Sequence, residues 1–186
     1  MAQILGLNGS PRKRGNTSIL VAEVLRGAAE AGATTEAVSL GGLNIRECDG
    51  CHVCWSGREC PKADDMLDLY RRIGAADVIV FGTPVYWYGP TALMKALIDR
   101  CVYFNCPENR PLVRGTAAAL VIPFEEDDPA MADLTVAMFA KSLEYLEMRL
   151  VGQVLAPGVG PAGAVRAKAA VMGKAFELGR RLAEGG

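Results

Sequence analysis

The sequence predicts a three-layer α/β sandwich, with one sheet of five parallel strands in the order 2-1-3-4-5 and helices on both faces. Three observations predict it. Short runs of β-branched and aliphatic residues alternate with longer stretches of helical apolar spacing. The runs read as continuously apolar, as strands covered on both faces do, and there are five of them. With right-handed crossovers, ligands gather outside the carboxyl ends of the strands, beside strands one and three.

The first strand is QILGLNG from Gln3, and a helix over 16–32 follows, opened by the polar run Asn-Thr-Ser. TTEAVSL from Thr34 is the second strand, and Asp64 and Asp65 open a helix over 63–74 by capping its free amides. ADVIVFG from Ala76 leads to a helix over 90–104, on which Lys95 and Asp99 pair across one turn. TAAALVI from Thr116 precedes a helix over 129–148, with Glu125, Glu126, Asp127 and Asp128 solvating and capping its start. GQVLAPG from Gly152 is the last strand, before a helix over 162–184. This is the flavodoxin-like arrangement. No repeat or linker interrupts it, so residues 1–186 read as one domain carrying a cysteine-rich loop at about 46–62.

The chain is 51% apolar and 22% charged, enough to bury one core, and its net charge is -1 with both signs interleaved. Nucleic acid is not an expected partner. No basic, apolar leader opens the chain and no run nears the ~20 apolar residues of a membrane span, so a soluble cytoplasmic protein is expected, with no membrane partner.

Two loops at the carboxyl edge carry the chemistry. The first, GSPRKRGNTS from Gly9 to Ser18, offers backbone amides at a helix start, hydroxyls from Ser10, Thr17 and Ser18, and the charge of Arg12, with Asn16 shaping the loop or adding a donor. It suits a phosphate. No lysine follows its last glycine, no GxGxxG is present and the loop holds no cysteine, so a nucleoside-triphosphate loop, a Rossmann NAD site and a tyrosine-phosphatase loop all lose support. The second loop places Tyr86, Trp87 and Tyr88 between Pro84 and Gly89, offering flat apolar surface and backbone amides to a planar redox cofactor. A phosphate loop beside an aromatic loop suggests FMN.

These residues resemble the flavodoxin-like family of NADPH-dependent FMN reductases, through GSPRKRGNTS, PVYWYGPTALMKALIDR and the DDM element at Asp64 to Met66. The resemblance implies that Ser10, Arg12, Asn16, Thr17 and Ser18 hold the FMN phosphate. It also implies that Pro84, Val85, Tyr86, Trp87, Tyr88 and Gly89 line the isoalloxazine, and that Pro123, Phe124, Glu125 and Glu126 complete the pocket. The iron-sulfur flavoprotein branch of that family carries a compact motif, C-x2-C-x2-C-x(4–7)-C, that ligates a [4Fe–4S] cluster; Cys48, Cys51, Cys54 and Cys60 match it.

Thiolates on short spacers suit an iron–sulfur cube, and Asp49 and Gly50 favour the turn between the first two. A four-cysteine zinc site, a C-x-x-C disulfide and free thiols stay open as alternatives. The loop follows strand two and is expected at the same carboxyl edge as FMN. Cys101 and Cys106 read as packing residues and the lone histidine, His52, as exposed.

The expected function is a flavin-dependent oxidoreductase with no side-chain nucleophile, its chemistry carried by FMN. With a cluster, the resemblance implies single electrons from a ferredoxin-type carrier; without one, NADPH serves as cosubstrate in FMN or quinone reduction. A redox-sensing module that binds flavin or zinc without turnover is the alternative of another class. The resemblance also implies a homodimer or larger homo-oligomer.

Overall fold

A computed structural model describes residues 1–185 and contains one sheet of five parallel strands in the order β2-β1-β3-β4-β5. The strands are β1 (Gln3–Asn8), β2 (Thr34–Ser39), β3 (Val78–Gly82), β4 (Ala117–Pro123) and β5 (Arg149–Ala156). The helices are α1 (Asn16–Glu30), α2 (Met66–Ala75), α3 (Ala92–Arg100), α4 (Asp133–Tyr145) and α5 (Ala169–Ala183). This is the flavodoxin-like fold.

The period-two alternation along each strand sorts its side chains into two apolar layers. Val78, Val80, Ala117, Ala119 and Val121 pack under Leu20 and Val24 of α1 and Leu178 of α5. Ile79, Phe81, Ala118, Leu120 and Ile122 pack under Leu69 of α2, Leu97 of α3 and Phe139 of α4. β3 and β4 are buried at every position, which is why they read as unbroken apolar runs.

On the first face α1 and α5 touch backbone to backbone. A Cβ on Gly27 would come 2.0 Å from Phe176 O, and one on Gly179 would come 1.8 Å from Val24 O. Only glycine permits that approach.

Several boundaries differ from the sequence reading. β5 begins at Arg149, not Gly152, because its first half pairs with β4 through a register shift that passes over Val151 at Ala118/Ala119. As an edge strand it is half exposed, so its apolar pattern is weak there. The helix expected over 129–148 starts as a 3-10 turn, Pro129–Ala132, with Asp128 accepting from Ala130 N. It stops at Tyr145, and Glu147 adopts a left-handed φ of 58° before the chain enters β5. The stretch expected over 90–104 is α3 followed by a 3-10 segment, Cys101–Asn105, and the last helix starts at Ala169, after a left-handed Gly163.

The long connection from β2 to α2 holds the cysteines. Its start rests against the first loop, with Gly41 beside Ser10 and Pro11. It then leaves the carboxyl edge, and its cysteine-bearing part packs against the far end of α3, at Arg100 and Val102.

Candidate functional site

After β1, Asn8 Oδ1 accepts from Ser10 N at 3.1 Å and Ser10 Oγ accepts from Arg12 N at 3.2 Å, so short-range bonds build the turn into α1. Gly15 is the N-cap of α1; it supplies no side-chain acceptor, and no acidic residue stands in the first turn. The leading N–H groups of a 15-residue helix are thus left for an outside acceptor, with the positive end of the helix dipole behind them.

A cleft of about 90 Å³ opens there. Ser10, Arg12, Asn16 and Thr17 line it from the first loop, Pro84, Val85 and Tyr86 from the loop after β3, and Pro123, Phe124 and Glu125 from the loop after β4. Val159 and Gly160, after β5, form the remaining wall. The volume is well below the ~300–1,000 Å³ that encloses a whole small molecule, so the cleft suits the anionic end of a larger ligand.

Asn16 braces this cleft. Its Nδ2 donates to Val159 O at 2.5 Å and Pro161 O at 2.9 Å, and its Oδ1 accepts from Val165 N at 3.2 Å. Arg12 Nη1 donates to Gly160 O at 2.9 Å. Across the cleft, the buried Thr91 donates to Gly9 O at 2.6 Å and accepts from Met94 N, locking the start of α3 onto the first loop. Ser18 lies outside the lining and donates to Gly15 O at 2.8 Å.

The aromatic loop is a tight turn: Tyr86 N donates to Gly89 O at 2.8 Å and Gly89 N to Tyr86 O at 3.0 Å. Its central residues, Trp87 (φ 50°) and Tyr88 (φ 62°), are both left-handed. For bulky side chains this costs on the order of 1–3 kcal/mol each, and such strain collects at ligand clamps. Thr135 of α4 donates to Tyr88 O at 3.1 Å and fastens the turn, while Trp87 is 96% exposed. The turn therefore presents aromatic surface to solvent in a left-handed conformation.

The four clustered cysteines line a second, smaller cavity of about 30 Å³, together with Asp49, Lys62, Tyr70, Arg100 and Val102. Left-handed turns at Gly50, His52 and Gly57 wrap the loop around it. Asp49 closes the loop through an ion pair with Lys62 at 2.9 Å and a bond from Cys51 N, which hold its carboxyl down to about 2. Cys54 is buried; burial, and then Cys60, Cys48 and Cys51, push its thiol above the ordinary value, as expected where sulfurs crowd together. Among the described residues, no three His, Cys, Asp or Glu side chains are gathered around a single metal-ion position. His52 is exposed, its ring against Trp55.

Arg100, one of the lining residues, is held by an ion pair. Arg100 is 1% exposed; its Nη1 and Nη2 reach Asp64 at 2.7 and 3.1 Å, and the Asp64 side chain is fully buried. Burial opposes the Arg100 charge, but the bonds it donates to Asp64 and Tyr70 outweigh it and hold the guanidinium protonated. Nη2 also donates to Cys60 Sγ at 3.4 Å.

The family model for NADPH-dependent FMN reductase matches residues 2–172. The chain belongs to that family. An iron-sulfur flavoprotein of Methanocaldococcus jannaschii is 41% identical over 98 residues, covering 53% of this chain and 51% of that protein. One from Archaeoglobus fulgidus is 29% identical over 90% of this chain and 82% of its own. In several such matches the chain spans about half the relative's length. Among solved structures, an NAD(P)H:quinone oxidoreductase from Methanothermobacter marburgensis superposes with a TM-score of 0.75 at 19% identity, covering 97% and 96% of the two chains, which bears on the fold.

Within this FMN reductase family member, the residues that the sequence reading assigned to FMN fall at different places around the cleft. Ser10, Arg12, Asn16, Thr17, Pro84, Val85, Tyr86, Pro123, Phe124 and Glu125 line it, whereas Trp87, Tyr88 and Gly89 form the turn beside it. Glu126 contributes its carbonyl to Gly158 N at 2.8 Å. Val159 and Gly160 went unread, although a Pro/Gly-rich loop after the fifth strand was a signal, since every such loop opens at one edge. Arg100 was missed too. It stands in register with Met94 and Leu97 on the buried stripe of α3, where an arginine is out of place unless something pairs it. Asp64, read only as a cap, does accept from Met66 N at 3.2 Å, and it also holds Arg100 and Arg46 N.

Proposed function

We propose that this chain is an FMN-dependent oxidoreductase whose Cys48, Cys51, Cys54 and Cys60 hold a [4Fe–4S] cluster. The observation that carries the reading is that all four clustered cysteines line one cavity, in a chain whose α1 start, without a side-chain cap, faces a separate cleft. Bound FMN supplies the interchange of one- and two-electron chemistry, and a cluster supplies single electrons. Ser10, Thr17 and the first amides of α1 bind the phosphate, Arg12 and Asn16 keep the cleft walls together, and the Trp87-Tyr88 turn offers its aromatic surface to the flavin. Ferredoxin-type donation, assembly into a homo-oligomer through exposed surface such as that turn, action of residues 1–186 as one unit and a cytoplasmic location complete the proposal.

A second reading, cluster-free reduction by NADPH, is favoured by one feature. The cleft is lined without any cysteine, and α3, about 13 Å long at 1.5 Å per residue, meets the cysteine cavity only at its last residue. Anaerobic reconstitution followed by iron, acid-labile sulfide and flavin analysis separates the readings. The expected result is about four irons and four sulfides per FMN. Stoichiometric FMN without iron or sulfide, reduced rapidly by NADPH, would overturn the cluster reading; no FMN binding would overturn both.

A further inference from the structure

Among the ligand cysteines of the proposed cluster, the surroundings are unequal. Cys60 alone has a cationic donor on its sulfur, Arg100 Nη2 at 3.4 Å. The remaining Arg100 contacts fix that donor from every side. Nε donates to Tyr70 Oη at 3.2 Å, Nη1 to Arg46 O at 2.9 Å and to Asp64 Oδ2 at 2.7 Å, and Nη2 to Asp64 Oδ1 at 3.1 Å. Tyr70 in turn donates to Arg100 O at 3.1 Å and stacks on Tyr103, with ring centroids 4.0 Å apart. All five guanidinium N–H groups are therefore engaged, and the plane of the fork cannot turn away from the sulfur.

The buried salt bridge alone does not call for this arrangement. A buried ion pair of this kind is often no more stabilising than apolar residues of the same volume. Here the pair fastens a cation to a spot where thiolates would crowd one another. Hydrogen bonds to sulfur and nearby positive charge are among the levers that raise cluster potentials, because each favours the electron-richer state.

We infer that Arg100 is a positioning residue for the cysteine site: held by Asp64 and Tyr70, it directs one charge-assisted bond at Cys60 Sγ and raises the reduction potential of a cluster bound there. The inference rests on the cluster reading above. Arg100→Lys keeps a cation for Asp64 but loses the planar fork, and Arg100→Gln paired with Asp64→Asn removes both charges without leaving one unpaired. Both variants and the wild-type protein are reconstituted anaerobically, and iron, sulfide, flavin and the two midpoint potentials are measured.

The expected result is a cluster potential that falls in both variants as the bond to Cys60 Sγ is lost, with iron content and FMN potential as in wild type. An unchanged cluster potential at full iron content would overturn the assignment. So would loss of iron from Arg100→Lys with FMN retained, since Arg100 would then be a scaffold for the loop and no more. Wild-type protein that takes up no iron or sulfide would instead sink the cluster reading itself, which keeps the two failures apart.

Discussion

The Asp64 carboxylate accepts from both Arg100 nitrogens and from the main chain at Arg46 and Met66, so one buried residue closes the loop and caps α2. Burial by itself would raise its pKa, but the Arg100 bonds and then the backbone donors outweigh that and hold it below the ordinary 3.8. A depressed carboxylate contributes stability above its unfolded value, and that stability is lost as pH falls through the folded one. Asp64→Asn leaves Arg100 unpaired in the interior and is expected to cost about 3–5 kcal/mol near neutral pH. Urea unfolding from pH 7 down to 3 should also show a shallower acid-side loss in the variant than in wild type, because the titrating group is gone. An equally steep acid limb would assign that dependence to other carboxylates.

The packing of α1 on α5 depends on backbone contact at Gly27 and Gly179, and the loop after β5 is bonded to the start of α1 through Asn16. Gly179→Ala would force a methyl to within 1.8 Å of Val24 O on a neighbouring backbone, which has no rotamer to give way. The helices must separate, at a cost of about 2 kcal/mol or more. Thermal unfolding should show the loss, and flavin affinity should fall with it as the Asn16 bonds to Val159 and Pro161 lengthen. The nearby Gly173→Ala, whose Cβ meets nothing within 4 Å, is the control that should keep both.

Across the molecule, α3 ties two sites together while keeping them apart. Its start is locked to the loop after β1 through Thr91, and its last residue lines the cysteine cavity. The two cavities share no lining residue. Replacement of Cys48, Cys51, Cys54 and Cys60 together by serine is therefore expected to leave FMN stoichiometry and affinity unchanged within about twofold, or ~0.4 kcal/mol. Flavin fluorescence titration checks this, and a large loss of affinity would mean that the loop shapes the cleft after all.

By itself the sequence determined the strand count and order, the two carboxyl-edge loops and the cysteine quartet, because strand periodicity, glycine-bounded turns and two-residue spacers are local patterns. The left-handed Trp87 and Tyr88 were beyond it, since nothing about two aromatic residues predicts a conformation that they disfavour and that Thr135 fastens from another element. The weak edge strand β5 and the wall at Val159 and Gly160 emerged only when pairing with β4 fixed its register. The cysteine cavity was legible as four thiols, whereas its place at the far end of α3 and the Arg100–Asp64 pair that holds Arg100 against it were decided by tertiary structure. The two paired residues stand 36 apart in the chain, and a buried charge shows its partner only once the fold has removed the water between them.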